Sequence, residues 1–169
     1  SNLTVRTRLI ASYVLLFSIL VIIAATGFYG LRVANQAMHQ VVDINVRKMA
    51  LLEDMSDSVH SVARVVRTVA LLERPEDRAD QEKKIPLYRK KYDDAFAELR
   101  KMPMDAKGKL FISEIEKQTT TARLLNNQFL DLELKGNKEA ALKLLMAESI
   151  PANTHWLDIL HEYIQLQRD

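Results

Sequence analysis

The sequence predicts an all-α fold: an antiparallel up-down-up-down four-helix bundle whose helix 1 is continuous with an N-terminal transmembrane helix. Three observations predict it. An uncharged apolar run covers residues 9–31, and beyond it apolar residues recur at alternating spacings of three and four. Only 4 Gly and 4 Pro interrupt 169 residues, so there are few places to turn and long helices follow by elimination. Cysteine is absent, so neither disulfides nor thiolate-bound metals hold the fold and core packing must do so.

The run LIASYVLLFSILVIIAATGFYGL has about 23 positions, which at about 1.5 Å each reach roughly 35 Å, enough to cross a hydrocarbon core of about 30 Å with some tilt. Arg6 and Arg8 precede it and no acidic residue occurs before Asp43, so the positive-inside rule keeps residues 1–8 cytoplasmic and sends 32–169 outward. Tyr13, Phe28 and Tyr29 suit the interfacial belts. A cleaved signal peptide is the rival, but its apolar region spans about 7–15 residues and ends at a small-residue site. Ala24, Ala25 and Thr26 offer only a weak one, and the helical pattern continues past them. The expected organisation is therefore a cytoplasmic segment 1–8, a transmembrane helix 9–31 and an extracytoplasmic domain 32–169.

Helix 1 carries a heptad seam at Leu52, Met55, Val59, Val62, Val66 and Val69. No Gly or Pro lies between Leu31 and Pro75, so it is expected to run unbroken to about Glu73, and Arg74-Pro75-Glu76-Asp77 marks a stop and restart. Helix 2 follows with Tyr88, Tyr92, Ala95, Leu99 and Met102; Pro86 inside this pattern implies either a kink or a helix that starts near it. Met102-Pro103-Met104-Asp105 is the next turn, with Asp105 as N-cap. Helix 3 presents Phe111, Ile115, Gln118, Ala122, Leu125, Phe129 and Leu132 and ends at Lys135-Gly136-Asn137, where Gly136 suits a C′ position. Asn137 caps a short amphipathic piece over 138–146, Ile150-Pro151 is expected to interrupt it, and helix 4 runs from about Ala152 with Trp156, Leu157, Leu160, Tyr163 and Ile164 inward. Short connections make neighbouring helices antiparallel. A last helix descending to the membrane would feed a second spanning helix, so the chain reads as a fragment of a longer transmembrane protein.

Of the 24 basic residues only Arg6 and Arg8 precede Arg32, while all 22 acidic residues follow it, so the outer part is formally neutral. A nucleic-acid binder would show a clustered basic excess. No Gly-rich phosphate loop, Ser/His/Asp set or HExxH stretch occurs, so no catalytic residues and no cofactor are expected. Asp57/His60 and Asp158/His161 are i,i+3 pairs, but the bundle metal pattern needs inward Glu-x-x-His with further glutamates, so no metal is expected.

The opening TVRTRLIASYVLLFSILVIIAATGFYGL and the stretch DINVRKMALLEDMSDSVHSVARVVRTVALLERPED resemble the start and the first sensor helix of methyl-accepting chemotaxis proteins with a four-helix-bundle sensor domain. Similar bundles also precede histidine kinase and diguanylate cyclase modules. The resemblance implies that 32–169 is a periplasmic sensor domain of an inner-membrane protein, and it implies sensing and not catalysis: a homodimer binds a small ligand, often an organic acid or amino acid, near the membrane-distal end. Helix 4 then shifts along its axis, and a region after Asp169 relays the signal to a cytoplasmic kinase and its coupling protein. A structural membrane-anchored bundle without a small ligand is the remaining alternative.

Arg64 and Arg67, one turn apart beside Thr68 and off the core seam, have the chemistry to clamp a carboxylate, either at a subunit interface or as part of a solvated face. The family's second contribution comes just after a proline at the start of helix 4. Pro151 matches it, which implies Asn153 and Thr154 as ligand contacts; each also reads as an ordinary N-cap. Arg123, with Asn126 and the threonines 119–121, is a candidate for a site within one subunit.

Overall fold

The computed structural model describes residues 5–168. Its elements are α1 (Val5–Leu71), α2 (Pro75–Glu82), α3 (Ile85–Leu99), α4 (Ala106–Leu134), α5 (Lys138–Leu144), a π-turn (Leu145–Ser149) and α6 (Ile150–Arg168). The described residues contain no strand. The chain divides into two compact units, Ser1–Asp43 and Ile44–Asp169. In the first, Tyr13–Arg32 is long and apolar enough to cross a membrane, with a mean hydropathy of 2.4 and none of it buried.

The second unit is the bundle. All six seam residues of α1, from Leu52 to Val69, are buried. Cross-helix polar contacts fix the antiparallel order. Arg47 meets Glu98 at 2.6 Å and Lys91 meets Asp54 at 2.8 Å, so α1 and α3 run oppositely. Arg100–Glu116 and Arg123–Asp93 reverse α3 against α4. Gln118 Nε2 donates to the Ala152 carbonyl, while Phe111 stacks on Tyr163 with ring centroids 4.9 Å apart, which reverses α4 against α6.

The boundaries follow local chemistry. Pro75 occupies the first turn of α2, where its missing N–H costs no hydrogen bond, and Arg74 Nε donates to Asp77 Oδ2 at 2.7 Å. Of the two readings of Pro86, the helix start holds: α3 begins at Ile85, with the proline in its first turn. Asp105 Oδ1 accepts from the Gly108 N–H at 2.7 Å, as an N-cap should. Gly136 has φ +74°, the left-handed conformation that ends α4. Arg78 binds Glu133 at 3.1 Å and donates to the Leu72 and Glu73 carbonyls, tying the α1–α2 link to α4.

One boundary differs from the sequence expectation. Ile150-Pro151 does not break the chain; α5 passes through the π-turn into α6 without leaving helical geometry. The Ile150 N–H reaches back five residues to the Leu145 carbonyl. This wider turn immediately precedes Pro151, where a regular α-turn would drive the ring into the carbonyl four residues back. Because α6 has no free N-terminus at Ala152, the capping role expected for Asn153 and Thr154 falls away.

The core forms two apolar clusters. One contains Leu52, Met55, Tyr92, Leu99, Ile115 and Leu160; the other contains Val66, Val69, Ile85, Phe129, Ala141 and Leu145. Between them lies a buried polar layer of Asn126, Ser149 and Asn153.

Candidate ligand-binding groove

Arg64, Arg67 and Thr68 line one open groove of about 690 Å³ on the α1–α3 side of the bundle. The heptad logic of α1 puts them there. With Val62, Val66 and Val69 turned inward, the intervening positions 64 and 67 face outward, and both arginines are exposed. Thr68 Oγ1 is turned back on its own helix, donating to the Arg64 carbonyl at 2.9 Å. Tyr88 and Lys91 contribute the α3 wall, and Asp57, His60 and Ser61 continue the α1 wall toward the lower end.

The groove's electrostatics are uneven. Lys91 is occupied by Asp54, whose hydrogen bond, first among the causes, holds the ammonium above its usual range. Arg64 makes one contact, a long 3.4 Å hydrogen bond to Ser61 Oγ. Among the described residues neither Arg64 nor Arg67 forms an ion pair, so two guanidiniums present forked donors to solvent. Such a pair accepts a carboxylate bidentately. Asp57 offers the opposite charge two turns away.

The structure separates the other sequence candidates from this groove. Arg123 holds Asp93 through both terminal nitrogens, at 2.7 and 3.3 Å, and stacks over the Tyr92 ring with Cζ 5.2 Å from its centroid. It lines a different, internal cavity together with Asn126. Asn153 is 3% exposed; its Nδ2 donates to Asn126 Oδ1 at 3.0 Å and to the Ser149 carbonyl at 2.8 Å. Asn126 Nδ2 donates back to Asn153 Oδ1 at 3.2 Å, and Ser149 Oγ donates to Asn126 Oδ1 at 3.3 Å. The Asn153 amide nitrogen is therefore fully engaged inside the bundle, and Asn126 bonds through both its oxygen and its nitrogen. Thr154 is exposed and donates to the Ile150 carbonyl, four residues back.

The family model described as "Four helix bundle sensory module for signal transduction" matches residues 2–169. The chain belongs to this family. It is thus a sensory module of the methyl-accepting chemotaxis receptor type, and its described residues supply the helical bundle and the N-terminal apolar helix of such a module. Comparisons with curated proteins and with solved structures give no match.

Sequence reading missed two groove members of this sensory module, Tyr88 and Lys91, because which α3 residues flank α1 depends on the register between helices. It also missed that His60 lines the groove while its ring lies 6.4 Å from that of His161 on α6. The two Asp-x-x-His pairs were the available signal. They bring no metal set together: no cluster of three or more potential ligands occurs among the described residues.

Proposed function

We propose that this sensory module is the periplasmic ligand-binding region of a bacterial chemoreceptor, and that its ligand is a small organic acid or amino acid held in the α1–α3 groove. The observation that carries the reading is the unpaired Arg64/Arg67 couple over an open cavity of small-molecule size. The ligand's carboxylate takes the two guanidiniums. An amino acid would place its ammonium toward Asp57.

The outward face of α1 supports a homodimer. Val46, Ala50, Glu53, Asp57, His60, Arg64, Arg67 and Leu71 alternate by four and three and are all exposed, a second seam on a helix whose first seam is already packed. In a two-fold pair of parallel α1 helices this seam meets itself, so Arg64 and Arg67 approach their own copies. Like charges there disfavour the empty pair, and an anionic ligand offsets the repulsion.

His60 gives the groove a route to α6, the helix that returns toward the membrane side. A ligand that repositions the groove-facing part of α1 acts on α6 through the His60–His161 contact. The signal then passes across the membrane to a kinase-controlling region beyond residue 169.

The test is isothermal titration of the full chain in detergent micelles with a panel of organic acids and amino acids. A saturable heat that disappears in Arg64→Ala and Arg67→Ala, with the melting temperature unchanged, is expected. Binding that survives both substitutions contradicts the groove.

A further inference from the structure

Inside the bundle, in the polar layer between the two apolar clusters, lies a second cavity of about 10 Å³, close to the volume that admits one water-sized species. Every long helix of the bundle contributes to its wall: Ser58 and Val62 from α1, Arg89 from α3, Arg123 and Asn126 from α4, and Trp156 from α6. It shares Ser58 and Tyr88 with the wall of the groove but includes neither Arg64 nor Arg67.

The hydrogen-bond accounting of this cavity is lopsided. Arg89 Nη2 donates to Asn127 Oδ1 at 2.8 Å, and the terminal nitrogens of Arg123 hold Asp93. The Nε–H of each arginine is buried and finds no acceptor among the described residues. Two acceptors on the lining are already engaged. Asn126 Oδ1 already takes two donors, from Ser149 and Asn153. Tyr92 Oη accepts from Trp156 Nε1 at 3.0 Å, while Ser58 Oγ donates to the Asp54 carbonyl and keeps its own lone pairs free. Val59 and Val62 complete the wall with methyl groups.

The charge count tilts the same way. Two guanidinium charges share a partly desolvated region with one carboxylate, Asp93. Burial first, and then the neighbouring Arg123 charge, pushes Arg89 below its ordinary pKa, with Asp93 opposing. A water molecule would satisfy both Nε–H groups but leave the excess positive charge uncompensated. A monatomic anion accepts from both, brings no donor and neutralises the excess charge.

We propose that this cavity is a binding site for one halide ion, with chloride as the physiological chemistry, held between Arg89 and Arg123 within a single subunit. Bound there, the ion touches α1, α3, α4 and α6 together and fixes their mutual position at the level of the polar layer. The module's response to its ligand would then depend on halide concentration.

The protein has a single tryptophan, and Trp156 lines the cavity, which supplies an internal reporter. The full chain in detergent micelles is melted while chloride replaces gluconate at constant ionic strength, gluconate being too large to enter. The expected result is a saturable rise of several degrees in the midpoint and a saturable change in Trp156 emission, with both responses lost in Arg89→Met. Equal midpoints in the two salts would overturn the site, as would a response that Arg89→Met retains in full. If Arg89→Met fails to fold, crystals of the unaltered chain grown in bromide decide the matter. An anomalous peak between the Arg89 and Arg123 side chains is expected, and its absence in ordered density rejects the proposal.

Discussion

Two polar regions of the bundle sit within a few turns of each other and use similar residues in opposite ways. Along the outer face of α1, Arg64 and Arg67 are exposed and hold no carboxylate. In the polar layer Asn126, Ser149 and Asn153 are at most 3% exposed and bond almost entirely to one another. The first arrangement leaves donors for something outside the chain. The second turns its hydrogen-bonding groups on itself, so its work is to fix the register of α4 against α6. An unpaired exposed cation costs little because water solvates it, whereas an unpaired buried amide carries its full desolvation penalty. The same physics makes one region replaceable without loss of fold and the other not.

The contrast can be broken by substitution. Asn126→Ala strips partners from Asn153 and Ser149 at once, and should lower unfolding free energy by roughly 2–4 kcal/mol, measured by chemical denaturation in micelles. A loss under about 0.5 kcal/mol would show that the polar layer is slack. Next in size is a pH effect. Burial, its main cause, pushes the Tyr92 hydroxyl up to about 12. In the unfolded chain this phenol titrates near 10. The folded pKa is the raised one, so the contribution is intact below about pH 10 and is lost as pH rises from there toward 12, about 2–3 kcal/mol in all. Tyr92→Phe should remove that part of the alkaline destabilisation; an identical pH profile in the variant would contradict it.

Smaller effects belong to the outer face. Arg64→Ala and Arg67→Ala should each change stability by less than about 0.5 kcal/mol. Each should nonetheless weaken carboxylate binding by ten- to a hundredfold, the equivalent of a charge-assisted hydrogen bond of roughly 1.5–3 kcal/mol. Thr154→Ala should do least of all, since its hydroxyl bonds only its own helix. A change in either melting temperature or ligand affinity on Thr154→Ala would place that side chain in a site it does not line here.

Much of this was legible in the sequence because helical periodicity is a local signal. The α1 seam, the Asp105 cap and the left-handed Gly136 each depend on residues a few positions apart, and each stands where the sequence put it. The inward face of Asn153 was not legible, and the reason is the π-turn. Buried Ala141, Leu145, Ser149 and Asn153 follow one another at steps of four. In a regular α-helix each such step over-rotates by about 40°, which would carry the face away from the core. The wider turn absorbs that drift and delivers Asn153 to Asn126. The uninterrupted steps of four were the signal, but Pro151 read more loudly as a break. The groove was half legible for a related reason. Arg64 and Arg67 share a helix, while Tyr88 and Lys91 reach them only through the register of α3 against α1.

The central claim is that the two unpaired arginines of α1, and not the polar residues near the start of α6, receive the ligand. Titration calorimetry of the full chain in micelles with an organic-acid and amino-acid panel, run side by side on the parent, Arg64→Ala/Arg67→Ala and Thr154→Ala, tests it directly. The account predicts binding in the parent, undiminished binding in Thr154→Ala, and none in the double arginine variant at an unchanged melting temperature. Full affinity in the double arginine variant would contradict it.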